Sequence, residues 1–110
     1  MTILDEVLIE EYDRCERIKK MYLNKIAVLP KGYLSQQKSK NKIYFYLKYQ
    51  ENGKVFRQRI LDENVEALQK QIADRHRLQQ GIQRCEIDQK KIRAALKVGG
   101  INVIEYLNLK

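Results

Sequence analysis

Between residues 31 and 60 the chain places eight basic side chains, Lys31, Lys38, Lys40, Lys42, Lys48, Lys54, Arg57 and Arg59, against one acid, Glu51. Tyr33, Tyr44, Tyr46 and Tyr49 are interleaved with them. Lysine and arginine neutralise phosphates and release their counterions, while tyrosine offers a ring for stacking and a hydroxyl for phosphates or base edges. The chemistry is that of holding an anionic polymer. The full chain of 110 residues has 22 basic and 14 acidic side chains, a net charge of +8, and this one segment supplies +7 of it. A solvated sheet face often carries Lys or Arg, but usually with both signs mixed. A single sign concentrated in thirty residues argues for an anionic partner.

Other chemistry has few candidates. The lone histidine, His76, sits in Asp74-Arg75-His76-Arg77, among cations and away from a second His, a Cys or a carboxylate cluster. It reads as a solvated residue on a helix surface rather than as part of a triad or a metal site. Cys15 and Cys85 lie 70 residues apart and read as small buried apolar residues kept as thiols. Gly99-Gly100 fits neither phosphate-loop nor dinucleotide-loop spacing, and the pairs Glu10-Glu11 and Asp62-Glu63 read as charges on helix ends or surfaces. The expectation is a protein that is not an enzyme and uses neither a cofactor nor a metal. No run of about 18 apolar residues occurs, and Met1-Thr2-Ile3-Leu4-Asp5-Glu6 has no signal-like pattern, so the expected location is the cytoplasm, with no membrane partner.

The elements that must carry the basic residues follow from periodicity. Leu4, Leu8, Tyr12, Cys15, Ile18, Tyr22 and Ile26 recur at helical steps, and Thr2 with Asp5 makes an N-terminal cap, which predicts a helix over residues 1–28. Pro30 and Gly32 end it. Residues 33–61 then alternate with period two, and Asn52-Gly53 predicts a type I′ hairpin turn. That turn sets residue 50 opposite 55, 48 opposite 57, 46 opposite 59 and 44 opposite 61. Ile43, Phe45, Leu47, Tyr49, Phe56 and Ile60 fall on one face with Gln58, while Tyr44, Tyr46, Lys48, Arg57 and Arg59 fall on the other. A first strand from Tyr33 to Lys38, pairing 38 with 43 across a loop at Ser39-Lys40-Asn41-Lys42, adds Leu34 to the apolar face and Tyr33, Ser35 and Gln37 to the basic one.

Asp62 is a reasonable cap for a helix over residues 62–98, with Val65, Leu68, Ile72, Leu78, Ile82, Cys85, Ile92 and Leu96 as its stripe. Such a helix runs about 50 Å, more than three strands can cover, so part of it must pack on the first helix, as in a helical hairpin, or on a second copy of the chain. Gly81 is a point of kinking or close approach. The tail, residues 101–110, is either a short helix or an added strand.

The stretch from Gly32-Tyr33 to Leu61, with its Lys/Arg-rich strands, Asn52-Gly53 at the second turn and an acidic-capped helix after it, resembles the three-stranded arm-type DNA-binding domain of phage and transposon integrases. It covers about fifty residues. Leu29-Pro30-Lys31-Gly32, Ile43-Tyr44-Phe45-Tyr46-Leu47 and Asn52-Gly53-Lys54 also look like segments of a group of small proteins from Gram-positive bacteria and their phages and mobile elements. This second resemblance implies a regulator, or an inhibitor of host defence of the anti-CRISPR type.

The expected architecture is therefore a single α+β domain over residues 1–110: an N-terminal helix, a basic three-stranded antiparallel sheet, and a long helix packing on both. The expected function is non-enzymatic binding of nucleic acid (DNA or RNA) or of a nucleoprotein such as a guided nuclease. Tyr33, Lys38, Lys40, Lys42, Tyr44, Tyr46, Lys48, Arg57 and Arg59 form the expected contact surface. The alternative is a helical protein-protein interaction module, or a homodimer through residues 65–96, with no nucleic-acid contact.

Overall fold

The computed structural model describes residues 1–108; Leu109 and Lys110, the end of the tail, lie outside the described residues. The elements are α1 (Ile3–Ala27), β1 (Tyr33–Ser39), β2 (Lys42–Glu51), β3 (Lys54–Ile60), α2 (Asp62–Val98) and α3 (Val103–Asn108). The class is α+β, as expected. The chain divides into two compact units, one of residues 1–27 with 78 onward and one of Val28–Arg77, so α2 contributes a half to each. Among the described residues no helix is long and apolar enough to cross a membrane.

The first unit is an antiparallel helix pair closed at one end by α3. Thr2 and Asp5 make the expected reciprocal cap at the start of α1: the Asp5 N–H donates to Thr2 Oγ1 at 3.1 Å and the Thr2 N–H to Asp5 Oδ2 at 2.9 Å. Contacts between the helices run in opposite chain directions. A methyl group on Gly81 would stand 2.6 Å from the Tyr22 ring, the Gln89 side chain reaches Tyr12, and Ile9 and Tyr12 cluster with Ile92, Leu96 and Val103. Gly81 is thus a point of close approach inside a continuous helix. Cys15 and Cys85 are both buried free thiols. Burial, and secondarily the neighbouring Cys85 thiol, push the Cys15 thiol up to about 11. It therefore stays protonated at neutral pH.

The apolar stripe of α1 begins later than its periodicity predicts. Leu4 is exposed, along with Ile3 and Val7, whereas Ile9, Tyr12 and Cys15 are buried. The reason is the position of the cover: Tyr106 of α3 sits beside Ile9, Glu6 and Glu10, one turn beyond Leu4. The tail resolves as helix. At the end of α2 the Ile101 N–H donates to the Leu96 carbonyl at 3.0 Å and the Gly100 N–H to that of Lys97 at 2.9 Å, a Schellman closure that brings Ile101 onto the core at Leu96. Asn102 then caps α3, its Oδ1 accepting from the Ile104 and Glu105 N–H groups at 3.1 and 3.2 Å.

Gln89 occupies a stripe position between Cys85 and Ile92 and is 1 % exposed. Its amide is satisfied, with Nε2 donating to the Tyr12 carbonyl at 3.2 Å and to Glu16 Oε1 at 2.8 Å. A buried amide with both N–H groups engaged penalises any slip of one helix along the other. Glu16 also takes Lys19 Nζ at 2.9 Å, and these two donors, Lys19 first, hold its carboxyl below the ordinary range. A carboxylate with a lowered folded-state pKa contributes stability above its unfolded value, and that contribution is lost as pH falls through the folded value. Thermal melts from pH 6 to pH 3 should therefore show a larger fall in Tm for the wild type than for Glu16→Gln. Equal falls would mean that Glu16 does not couple protonation to folding.

The second unit is the sheet, in the order β1-β2-β3, with the first half of α2 over one face. Register is as expected from the Asn52-Gly53 turn: Gln50 opposite Val55, Lys48 opposite Arg57, Tyr46 opposite Arg59 and Phe45 opposite Ile60. Both turn residues have positive φ, 52° and 78°, as a type I′ turn requires. The ladder stops at Ile60, so the expected 44–61 pair does not form; the Leu61 carbonyl instead accepts the Asn64 N–H and opens α2. Asp62 and Glu63 accordingly sit in the first helical turn, where they complement the dipole, with Asp62 inside the helix rather than capping it. On the apolar face Leu47 is buried, and so are Val65 and Leu68 of α2. The rings of Tyr49 and Phe56 stack with centroids 5.3 Å apart. Arg75 Nη1 donates to the Leu29 carbonyl at 2.9 Å, tying the segment that enters β1 to α2.

Candidate nucleic-acid interface

Side chains alternate across a strand, so the registers of β1, β2 and β3 determine which residues share a face. On the face away from α2 the first row is Tyr33, Lys48 and Arg57, and the second is Ser35, Tyr46 and Arg59. Gln37 with Tyr44 forms the third, and Ser39 with Lys42 the fourth. No residue of these rows is acidic. Glu51, the one acid of the sheet, has the opposite parity and faces the side of Leu47 and Tyr49.

The arginines do not stand out into solvent at random. Arg57 leans diagonally across its pair row and lays its guanidinium carbon 3.6 Å from the centroid of the Tyr46 ring. Arg59 does the same over Tyr44 at 4.6 Å. Such diagonal neighbours on an antiparallel pair are within reach of long and aromatic side chains. The Arg57 Nη2 also donates to the Oε1 of Gln37 on β1, so its planar group is held from below by a ring and from the side by an amide. Tyr44, Tyr46 and Lys48 are half-buried, while Arg57 and Arg59 stay exposed. The outermost layer is therefore two guanidinium planes, with tyrosine rings beneath them.

No known protein family, curated protein or solved structure matches this chain. What the site can do rests on its own geometry.

Of the nine residues expected at the surface, Tyr33, Tyr44, Tyr46, Lys48, Arg57 and Arg59 share the face, joined by Lys42 at the start of β2. Lys40 occupies the tight β1–β2 turn, with φ of 55°. The exception is Lys38. The expected 38–43 pair forms and puts Lys38 on the face of Ile43, opposite to the arginines, while β1 runs on to Ser39 and leaves a turn of two residues, not four. Lys38 cannot stand beside Lys40 and Lys42 as part of one loop clamp. Gln37, neither charged nor aromatic, belongs to the face as well. Its parity beside Tyr44 was readable, but its bond to Arg57 depends on the diagonal lean of the arginine.

His76 is exposed on α2 and lines a shallow groove with Leu34, Gln36, Gln69, Ile72 and Ala73. That groove is on the α2 side of the sheet, away from the arginine face.

Proposed function

We propose that this protein is a non-enzymatic binder of nucleic acid, and that Tyr33, Lys42, Tyr44, Tyr46, Lys48, Arg57 and Arg59 form its contact face. The observation that carries this reading is the pair of guanidinium groups laid over Tyr46 and Tyr44 on a sheet face without an acid. Pre-organised arginine donors lose little rotamer freedom on meeting a phosphate, and a one-signed face attracts polyanions from a distance. The same face suits a nucleoprotein whose phosphates are exposed. A guided nuclease is the example implied by the resemblance to mobile-element proteins, and in that setting the proposed role is that of a regulator or an anti-CRISPR-type inhibitor.

The test is a titration of labelled DNA and RNA oligonucleotides into the full chain across a salt series, with the 260-to-280 nm absorbance ratio of the purified protein as a first indicator. With three to four cations on the face, the logarithm of the binding constant should fall against the logarithm of salt concentration with a slope of about −2 to −4. Absence of binding at low salt, or binding with no salt dependence, would refute the proposal.

A further inference from the structure

Tyr44 and Tyr46 suggest base stacking when read from sequence, yet each ring already carries an arginine on one side, whereas Tyr33 at the edge of the face stays 60 % exposed. At 3.6 Å from the Tyr46 centroid, the Arg57 guanidinium lies at van der Waals contact and leaves no space for a base between the two planes. Arg59 lies over Tyr44 more loosely, at 4.6 Å, still too close for a base to enter between the two planes. A base could stack on the covered side of either ring only by displacing an arginine, which for Arg57 also means breaking its bond to Gln37. What remains available is the guanidinium N–H groups. Of the five N–H donors of Arg57, one is held by Gln37, and among the described residues no acceptor takes the others, which can meet an anion.

Spacing supports the same conclusion. Arg57 and Arg59 are two residues apart on one strand, a repeat of about 7 Å. This is comparable to the separation of successive phosphates along a nucleic-acid strand. Lys48 and Lys42 flank them on β2 with the same parity.

We infer that the face recognises the sugar-phosphate backbone rather than the bases. Arg57 and Arg59 take neighbouring phosphates, and Tyr46, Tyr44 and Gln37 act as positioning residues that hold the two guanidinium planes. This rests on the reading of the face as a nucleic-acid site, and it removes Tyr44 and Tyr46 from direct contact with the ligand.

The experiment compares a thymidine oligonucleotide with an abasic oligonucleotide of the same length and charge, each titrated by fluorescence anisotropy at low salt. The two dissociation constants should agree within about threefold. One base stacked on an aromatic ring contributes on the order of tenfold in affinity, so an abasic strand that binds more than about tenfold weaker overturns the inference and leaves the proposed function standing. If neither strand, nor any other nucleic acid tried, binds, both fall together. Tyr46→Leu separates the roles further. If the ring positions Arg57, affinity for both strands drops by a similar factor and Tyr46→Phe restores it. If the ring stacks a base, only the thymidine strand weakens, and the inference is wrong. Circular dichroism of each variant confirms that the sheet has formed before affinities are compared.

Discussion

Replacing Lys48, Arg57 and Arg59 together by glutamate lowers affinity for an oligonucleotide by about 100-fold or more at low salt, three lost phosphate contacts of at least about 1 kcal/mol each being converted into repulsion. The fold should survive the change. Both arginines are exposed, and their stacking on Tyr46 and Tyr44 contributes roughly 0.5–1 kcal/mol apiece at such a surface. The necessary comparison is a second triple variant, Lys70→Glu, Lys90→Glu and Lys91→Glu, which changes net charge equally at three exposed positions of α2. That variant weakens the long-range attraction without touching the face, so its loss should be within about tenfold. Equal losses in the two variants would mean that binding responds to overall charge and that the sheet face has no special part in it.

The second large effect concerns the backbone that brings β1 onto β2. Gly32 has φ of 99°, and a methyl group there would stand 2.1 Å from the Lys48 carbonyl oxygen and 2.9 Å from Tyr49 Cβ. Two penalties coincide, a conformation that L-residues rarely adopt and a collision with backbone that no rotamer change can relieve. Gly32→Ala should therefore cost about 3 kcal/mol or more in a urea melt. The collision partner is the residue that carries the Lys48 side chain, so surviving folded protein should also bind oligonucleotide more weakly, through displacement of the row Tyr33, Lys48 and Arg57. Lys31→Ala, one residue earlier at an exposed position, should leave the melt unchanged. A Gly32→Ala protein within about 1 kcal/mol of wild type would show that the segment before β1 relaxes freely and does not hold the sheet in register.

Legibility differed from element to element for identifiable reasons. The register of the sheet was readable because a two-residue Asn52-Gly53 turn leaves one pairing, and a slip by one residue would turn every apolar side chain to the wrong face. Five members of the basic face, Tyr44, Tyr46, Lys48, Arg57 and Arg59, follow from the register of that turn alone, and Tyr33 from the pairing of 38 with 43. Lys38 obeys the same parity: its pairing with Ile43 puts it on the apolar face, so grouping it with Lys40 and Lys42 rests on nearness in sequence rather than on register. Gln89 is not legible as a core residue for a different reason. It stands at stripe spacing between Cys85 and Ile92, but an amide enters a core only where acceptors meet it, and those acceptors, Tyr12 and Glu16, come from a helix more than seventy residues away.

By itself, the sequence determined everything that depends on local period and turn chemistry: two long helices, three strands, their register, and a +7 segment whose charged and aromatic side chains alternate across the sheet. Tertiary structure alone decided which partner the second half of α2 would take, that the tail would be helical, and how the arginines and tyrosines of the face are layered. Periodicity specifies the direction of a side chain from its own backbone, whereas stacking and burial depend on atoms supplied by another element. Tyr44 and Tyr46, which sequence offers as stacking platforms, thus become supports, because β3 lies close enough for Arg57 and Arg59 to cover them.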